Sequence, residues 1–298
     1  MKAHESIAGM GRSLGLGASG ELFFFDSAAP NGAGCVAGRA APIVLVHGLG
    51  DEADSFRHLI PGLARGRRVL APDLPGFGRS VAKRRVNLGF CLDALIGLLE
   101  AETPDGAILA GSSLGAVVCE LAAIRRPGLV KGLVFMDGGF PTPASTGSSL
   151  LSTLIPFVGE KSYRSLRGKP DIAYGTLHPY YADLDALPGT DRAFLAERVV
   201  ERVESESQMR AYFSLFRSLA FAAIFRQKSF ARDLAALDKP LLLLWGSEDR
   251  VVPASGLDLL AATAKGASTA LIEGAGHLPH QERPEACLEA MEKFLASI

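Results

Sequence analysis

Two blocks of this sequence alternate short, wholly aliphatic runs with helix-length segments, and few folds accommodate that alternation. In the first block, Ile43–Val46 stands between Pro42 and His47 with no polar residue inside it. A strand with one wet face would alternate apolar and polar residues. Four consecutive aliphatics need cover on both faces, as strands of a parallel sheet have. Further strands are predicted over 21–25, 68–71, 107–110 and 132–136, with helices over 55–64, 88–100 and 114–125. The second block gives strands over 240–245 and 268–272 and helices over 254–264 and 284–296. The fold class is therefore α/β, a mostly parallel sheet covered on both faces.

Residues 141–235 break the pattern. They contain no aliphatic strand run, and helix formers dominate 191–206 and 208–225. All five tyrosines fall here (Tyr163, Tyr174, Tyr180, Tyr181, Tyr212), with seven of the sixteen phenylalanines. The organisation predicted is one core domain, 1–140 with 236–298, and a helical cap, 141–235. The cap should cover the sheet's C-terminal edge, where open α/β sheets bind ligands, with some of its rings facing the pocket.

Composition removes several functions. With 48% apolar and 21% charged residues among 298, the chain can fill a core, which disordered chains cannot. A net charge of −1 gives no overall attraction to nucleic acid or to an anionic membrane, so neither is an expected partner. No run approaches the ~18 apolar residues of a transmembrane segment. The first twenty residues lack the continuous apolar stretch of a secretory signal. The four cysteines, Cys35, Cys91, Cys119 and Cys287, are scattered without metal-ligand spacing. A cytoplasmic location and no bound metal are expected, with Cys91 and Cys119 as buried, inert thiols. Oligomeric state has no signature in the chain.

The pattern G-x-S-x-G occurs twice, as Gly11-Arg12-Ser13-Leu14-Gly15 and as Gly111-Ser112-Ser113-Leu114-Gly115. Chance alone supplies roughly a quarter of such a match in a chain this rich in Gly and Ser, so context decides. A nucleophile elbow needs a strand before the serine and a helix after it, with small residues two positions either side. Ser113 has the strand over 107–110 and the helix over 114–125; Ser13 has neither. Ser113 is the candidate nucleophile and Ser13 a false match. The main-chain N–H of Leu114, at the helix N-terminus, is a candidate oxyanion donor. Leu49, in His47-Gly48-Leu49-Gly50 after the strand over 43–46, is the second. Both would act through main chain, so changing their side chains should alter little.

A general base belongs on a loop past a strand end, from which its ring can reach the serine. Of His4, His47, His58, His178, His277 and His280, only His277 follows a strand through a glycine-rich loop, Glu273-Gly274-Ala275-Gly276. His47 is expected to brace its turn by hydrogen bonds, and His178 and His280, beside prolines, to lie on the surface or in the cap. The carboxylate that orients the base is Asp249, in Trp245-Gly246-Ser247-Glu248-Asp249-Arg250. Asp137, in Met136-Asp137-Gly138-Gly139, also follows a strand and is the rival. The chain order Ser113, Asp249, His277 separates this set from two other serine-protease orders.

With His47–Gly50, Asp73-Leu74-Pro75-Gly76-Phe77-Gly78-Arg79-Ser80, Gly111–Gly115, Trp245–Asp249 and Gly276-His277 in order, the chain resembles the α/β-hydrolase superfamily, in its capped esterase and C–C hydrolase branch. The resemblance covers about residues 40–140 and 236–298. It implies the α/β-hydrolase fold: a mostly parallel eight-stranded sheet flanked by helices, an inserted helical cap, and no metal or organic cofactor. By position it makes Ser113 the nucleophile, Asp249 the acid and His277 the base, with Leu49 and Leu114 as oxyanion donors. Serine rather than aspartate at 113 argues against epoxide hydrolases and haloalkane dehalogenases. The expected partner is a small-molecule ester with an apolar part, cleaved through an acyl-enzyme. The alternatives are a C–C hydrolase or lactonase on the same triad, a ligand sensor with vestigial turnover, and a cofactor-free peroxidase-like side activity.

Overall fold

Hydrocarbon fills both sides of one sheet, because successive side chains of its central strands enter two different cores. The computed structural model describes residues 1–29, 40–141 and 155–298; Cys35, most of the loop around it and the start of the 141–235 segment lie outside these. Nine strands are present among the described residues: β1 (Gly11–Gly15), β2 (Gly20–Asp26), β3 (Ile43–Val46), β4 (Val69–Pro72), β5 (Val81–Ala82), β6 (Ala107–Ser112), β7 (Val130–Met136), β8 (Leu241–Gly246) and β9 (Ser268–Ile272). Eight follow the order β1-β2-β4-β3-β6-β7-β8-β9, and β5 pairs with β2. From β4 to β9 every pairing is parallel, while β2 pairs antiparallel with β1, β4 and β5.

The helices are α1 (Leu59–Leu63), α2 (Leu88–Glu102), α3 (Leu114–Arg125), α4 (Val158–Arg164), α5 (Pro170–Gly175), α6 (Gly189–Glu204), α7 (Glu206–Phe225), α8 (Gln227–Ala235), α9 (Ser255–Thr263), α10 (Pro279–Glu282) and α11 (Pro284–Leu295). Val44, Val46, Leu109 and Leu243 pack with α2, α3 and α9 on one side. Their chain neighbours Ile43, Leu45, Ile108, Leu242 and Leu244 pack with α1 and α11 on the other. This period-two division is why those runs carry no polar residue.

The fold agrees with the sequence reading in its centre and differs at its edges. β1 and β5 were not expected, because an edge strand such as Gly-Arg-Ser-Leu-Gly is largely exposed and takes its register from its partner. Ser13 sits inside β1, opposite Phe23, so the second G-x-S-x-G is no elbow. The helix expected over 55–64 is a 3₁₀ turn, Ala53–Phe56, followed by the short α1, which contains Pro61 and Gly62.

Between β7 and β8 the described residues form helices and no strand. Ser205 separates α6 from α7 and caps the latter, its hydroxyl accepting from Gln208 N–H at 3.3 Å. Two arginines tie this segment to the loop after β3. Arg202 of α6 meets Asp51 at 2.6 Å and Glu52 at 2.7 Å, and Arg57 meets Asp191 of α6 at 2.6 Å. Ala211 and Leu215 of α7 join the α2–α3 core. No helix among the described residues is long and apolar enough to cross a membrane.

Leu243 is fully buried in β8, between β7 and β9. Leu243→Ala should lower unfolding free energy by about 2–5 kcal/mol, read as an earlier urea midpoint at unchanged slope.

Candidate active site

Ser113 occupies the turn where β6 ends and α3 begins, with φ 52° and ψ −115°, outside the regions a side-chain-bearing residue favours. Holding it there costs on the order of 1–3 kcal/mol, which the surrounding packing has to offset. Ser113 N–H donates to the Met136 carbonyl at 2.8 Å. Around the turn main chain touches main chain. A methyl group on Gly111 would collide with the Gly115 backbone, one on Gly115 with the Val46 carbonyl, and one on Gly138 with the Ser113 carbonyl. Glycine is thus required sterically at all three positions. Ser113 remains half-buried rather than enclosed.

The His47–Gly50 turn lies against this elbow: a methyl on Gly48 would sit 3.4 Å from Ser113 Cβ. The N–H groups of Leu49 and Leu114 have no hydrogen-bond partner among the described residues. His47 is wholly buried and braces the turn, as expected. Its Nδ1 bonds to the Gly48 carbonyl at 2.7 Å and its Nε2 accepts from Leu74 N–H at 2.8 Å. Burial lowers its pKa, so the ring stays neutral with the proton on Nδ1. Asp73 supports the same region, accepting from Ala53 N–H and Arg79 N–H, each at 2.7 Å. The 73–80 motif therefore buttresses the turn.

Asp249 and His277 meet past the ends of β8 and β9. His277 Nδ1 bonds to Asp249 Oδ2 at 2.8 Å, and Asp249 Oδ1 accepts from Val251 N–H at 2.7 Å and Val252 N–H at 2.9 Å. Both side chains are buried, His277 at 2% exposure. A methyl on Gly246 would collide with the Gly276 carbonyl, so the two turns are in van der Waals contact. The Nδ1 contact leaves Nε2 as the nitrogen not committed to a carboxylate. Among the described residues His277 is joined to Asp249, and no hydrogen bond joins Ser113 Oγ to His277. Asp137 does not take His277 as a hydrogen-bond partner; its Oδ1 accepts from Gly246 N–H at 2.8 Å.

Two features near the site escaped the sequence reading. His280 is wholly buried rather than on the surface or in the cap, because α10 turns it inward to meet Ser55 Oγ at 2.8 Å. His178 is exposed in the helical segment, as expected. Glu282, buried at 8% exposure, fixes the His277 loop by accepting from Gly276 N–H at 2.6 Å. It also accepts from Ala182 N–H at 2.8 Å. Neither carries a local pattern, since each is defined by partners distant in the chain. Aromatic rings of the helical segment approach the site: Tyr180 lies 6.0 Å from the His277 ring, and Tyr212 would touch a methyl on Gly50 at 3.0 Å.

The alpha/beta hydrolase family profile matches residues 43–290, from β3 into α11, with every element just described around the elbow. The chain belongs to the alpha/beta hydrolase family. Among its relatives in this family is the pimeloyl-(acyl-carrier protein) methyl ester esterase of Edwardsiella ictaluri, 28% identical over 270 residues, covering 87% of this chain and 95% of that protein. An uncharacterized hydrolase of Bacillus subtilis, YugF, is 27% identical over 259 residues, covering 85% and 89%. The meta-cleavage product hydrolase of Pseudomonas fluorescens shares the hydrolase fold at TM-score 0.75 and 22% identity, covering 97% of this chain and 98% of that one. Cfl2 of Burkholderia cenocepacia does so at TM-score 0.79 and 20% identity, covering 99% and 98%.

Gly115→Ala, which meets main chain that cannot yield, should cost at least about 2 kcal/mol of stability. Gly97→Ala, in α2 with nothing within 4 Å, should instead stabilise by about 0.5–1 kcal/mol. Thermal melts of the two variants check the contrast. Burial lowers the His280 pKa from 6.5 to about 3. Between these values the unfolded chain holds a proton that the folded chain does not, so stability falls as pH drops. The slope from this group should approach about 1.4 kcal/mol per pH unit and be reduced in His280→Gln, measured by urea unfolding at pH 6.5 and 4.5.

Proposed function

We propose that this hydrolase-family protein cleaves carboxylic esters through Ser113, His277 and Asp249. The observation that carries the reading is the 2.8 Å contact between His277 Nδ1 and Asp249, formed beside a strained strand–helix elbow that presents Ser113. In this reading His277 takes the Ser113 proton through Nε2 as Oγ attacks the ester carbonyl. Asp249 holds the imidazole tautomer and balances its charge. The unpartnered N–H groups of Leu49 and Leu114 receive the oxyanion, each worth about 3–4 kcal/mol of transition-state stabilisation. The alcohol leaves with the proton from His277, and water repeats the sequence on the acyl-enzyme. The open contact between Ser113 and His277 closes when substrate binds, as catalytic hydrogen bonds commonly do.

The helical segment between β7 and β8 acts as a cap. Tyr180 beside His277 and Tyr212 against Gly50 support a substrate whose apolar part packs on aromatic rings. Ester specificity draws further support from the methyl ester esterase, similar over most of the chain. No metal or organic cofactor takes part in this scheme.

Hydrolysis of p-nitrophenyl esters of increasing acyl length should be measured for the wild type and Ser113→Ala. The variant should lose about a thousandfold or more of kcat while keeping the wild-type melting temperature, with an optimum at short to medium chains. Retention of more than a few per cent of activity by Ser113→Ala would sink the proposal.

A further inference from the structure

Asp137 is the residue that the triad leaves unexplained. Its side chain is wholly buried at the end of β7, where the backbone takes φ 52°. Oδ1 accepts from Gly246 N–H at 2.8 Å, but Oδ2, equally buried, has no hydrogen-bond partner among the described residues. Ligand atoms of Asp137, Asp249 and His277 all lie within 4.8 Å of one another. Two carboxylates this close in a dry environment do not both carry charge, and a single proton between them satisfies both.

The donor count decides which carboxyl keeps the proton. Asp249 accepts three hydrogen bonds, from Val251 N–H, Val252 N–H and His277 Nδ1, and Asp137 accepts one. Negative charge settles where donors are most numerous, on Asp249, and the proton stays on Asp137. We propose that Asp137 is a positioning residue whose neutral carboxyl donates a hydrogen bond to Asp249, locking that carboxylate onto His277. The proposal rests on the triad reading above and adds a fourth member to it. No bond to substrate is made: the Asp137 proton remains on its oxygen throughout the cycle, while the catalytic proton travels between Ser113, His277 and the leaving group.

The surroundings agree. Burial and the neighbouring Asp249 push the Asp137 carboxyl well above the usual carboxylate range. Besides Asp249 and His277, the titratable groups facing it are Glu282, which also favours the neutral acid, and the Cys287 thiol, itself pushed upward by burial. The rival acid recognised in the sequence thus acquires a different task from the one it was weighed for.

Asparagine imitates a neutral carboxyl here, since its amide can donate to Asp249 while its oxygen accepts from Gly246; leucine fills the space and does neither. Wild type, Asp137→Asn, Asp137→Leu, Asp249→Asn and Ser113→Ala should be compared on one p-nitrophenyl ester. Asp137→Asn should stay within about threefold of wild type, and Asp137→Leu should lose about 10- to 100-fold in kcat at unchanged KM. A fall in Asp137→Asn as deep as that of Asp249→Asn would mean that Asp137 works as an anion and overturn the proposal. So would wild-type kinetics in Asp137→Leu. A second measurement needs neither substrate nor the leucine variant. In ¹³C spectra of carboxyl-labelled aspartate, a resonance should remain at its neutral position at about pH 7 and vanish in Asp137→Asn but not in Asp73→Asn, Asp73 being a second buried carboxyl, pushed up to about 7; absence of such a resonance overturns the proposal. Equal activity in wild type and Ser113→Ala would instead strike at the triad itself, leaving the spectra to decide proton sharing.

Discussion

The Cα of Gly115 rests against the carbonyl of Val46, and the rest of the site is hung on that contact. It brings the first turn of α3 against the end of β3, so the helix N-terminus and the His47–Gly50 turn meet beside one serine. Any side chain at 115 would separate them. The same device recurs at Gly138 against Ser113 and at Gly246 against Gly276. The ends of β3, β6 and β7 are therefore packed backbone to backbone, and so are those of β8 and β9. Side chains could not substitute for this, because their rotamer freedom would blur positions that backbone contact fixes to fractions of an ångström.

Charge is placed at the periphery of this arrangement for a different purpose. Arg202 with Asp51 and Glu52, and Arg57 with Asp191, join α6 to the loop that follows the His47 turn. Buried pairs of this kind add little net stability over an apolar contact, but losing one partner strands the other. Their effect is to allow one seating of the helical segment and penalise others. The geometry of the His47 turn and the seating of α6 are thereby parts of one structure rather than two.

How much of this was legible in the sequence follows from the range of the forces involved. Ile43–Val46, Leu109 and Leu243 could be recognised because burial on two faces leaves its mark on consecutive residues. Ser113 and Asp249 could be singled out because each lies just past such a run, and His277 because it follows β9 through a glycine-rich loop. β1 escaped because its stability comes from β2 and not from its own composition. His280 escaped because its partner, Ser55, lies 225 residues away. Asp137 and Asp249 looked like competitors in the linear chain, where a choice between them seemed necessary. In three dimensions only Asp249 meets His277, and Asp137 bonds to Gly246 N–H instead.

Glu282 carries a consequence for how this protein can change. One carboxylate receives Gly276 N–H from the His277 loop and Ala182 and Asp183 N–H from the helical segment. The residue that seats this part of the helical segment thus also shapes the loop bearing the imidazole. A graft replacing 155–235 wholesale would leave Glu282 Oε1 searching for new donors while Oε2 still held Gly276 N–H, with the displacement felt first at His277. The 181–183 backbone is thus tied to the His277 loop through Glu282, whereas Tyr180 approaches the imidazole only through its ring.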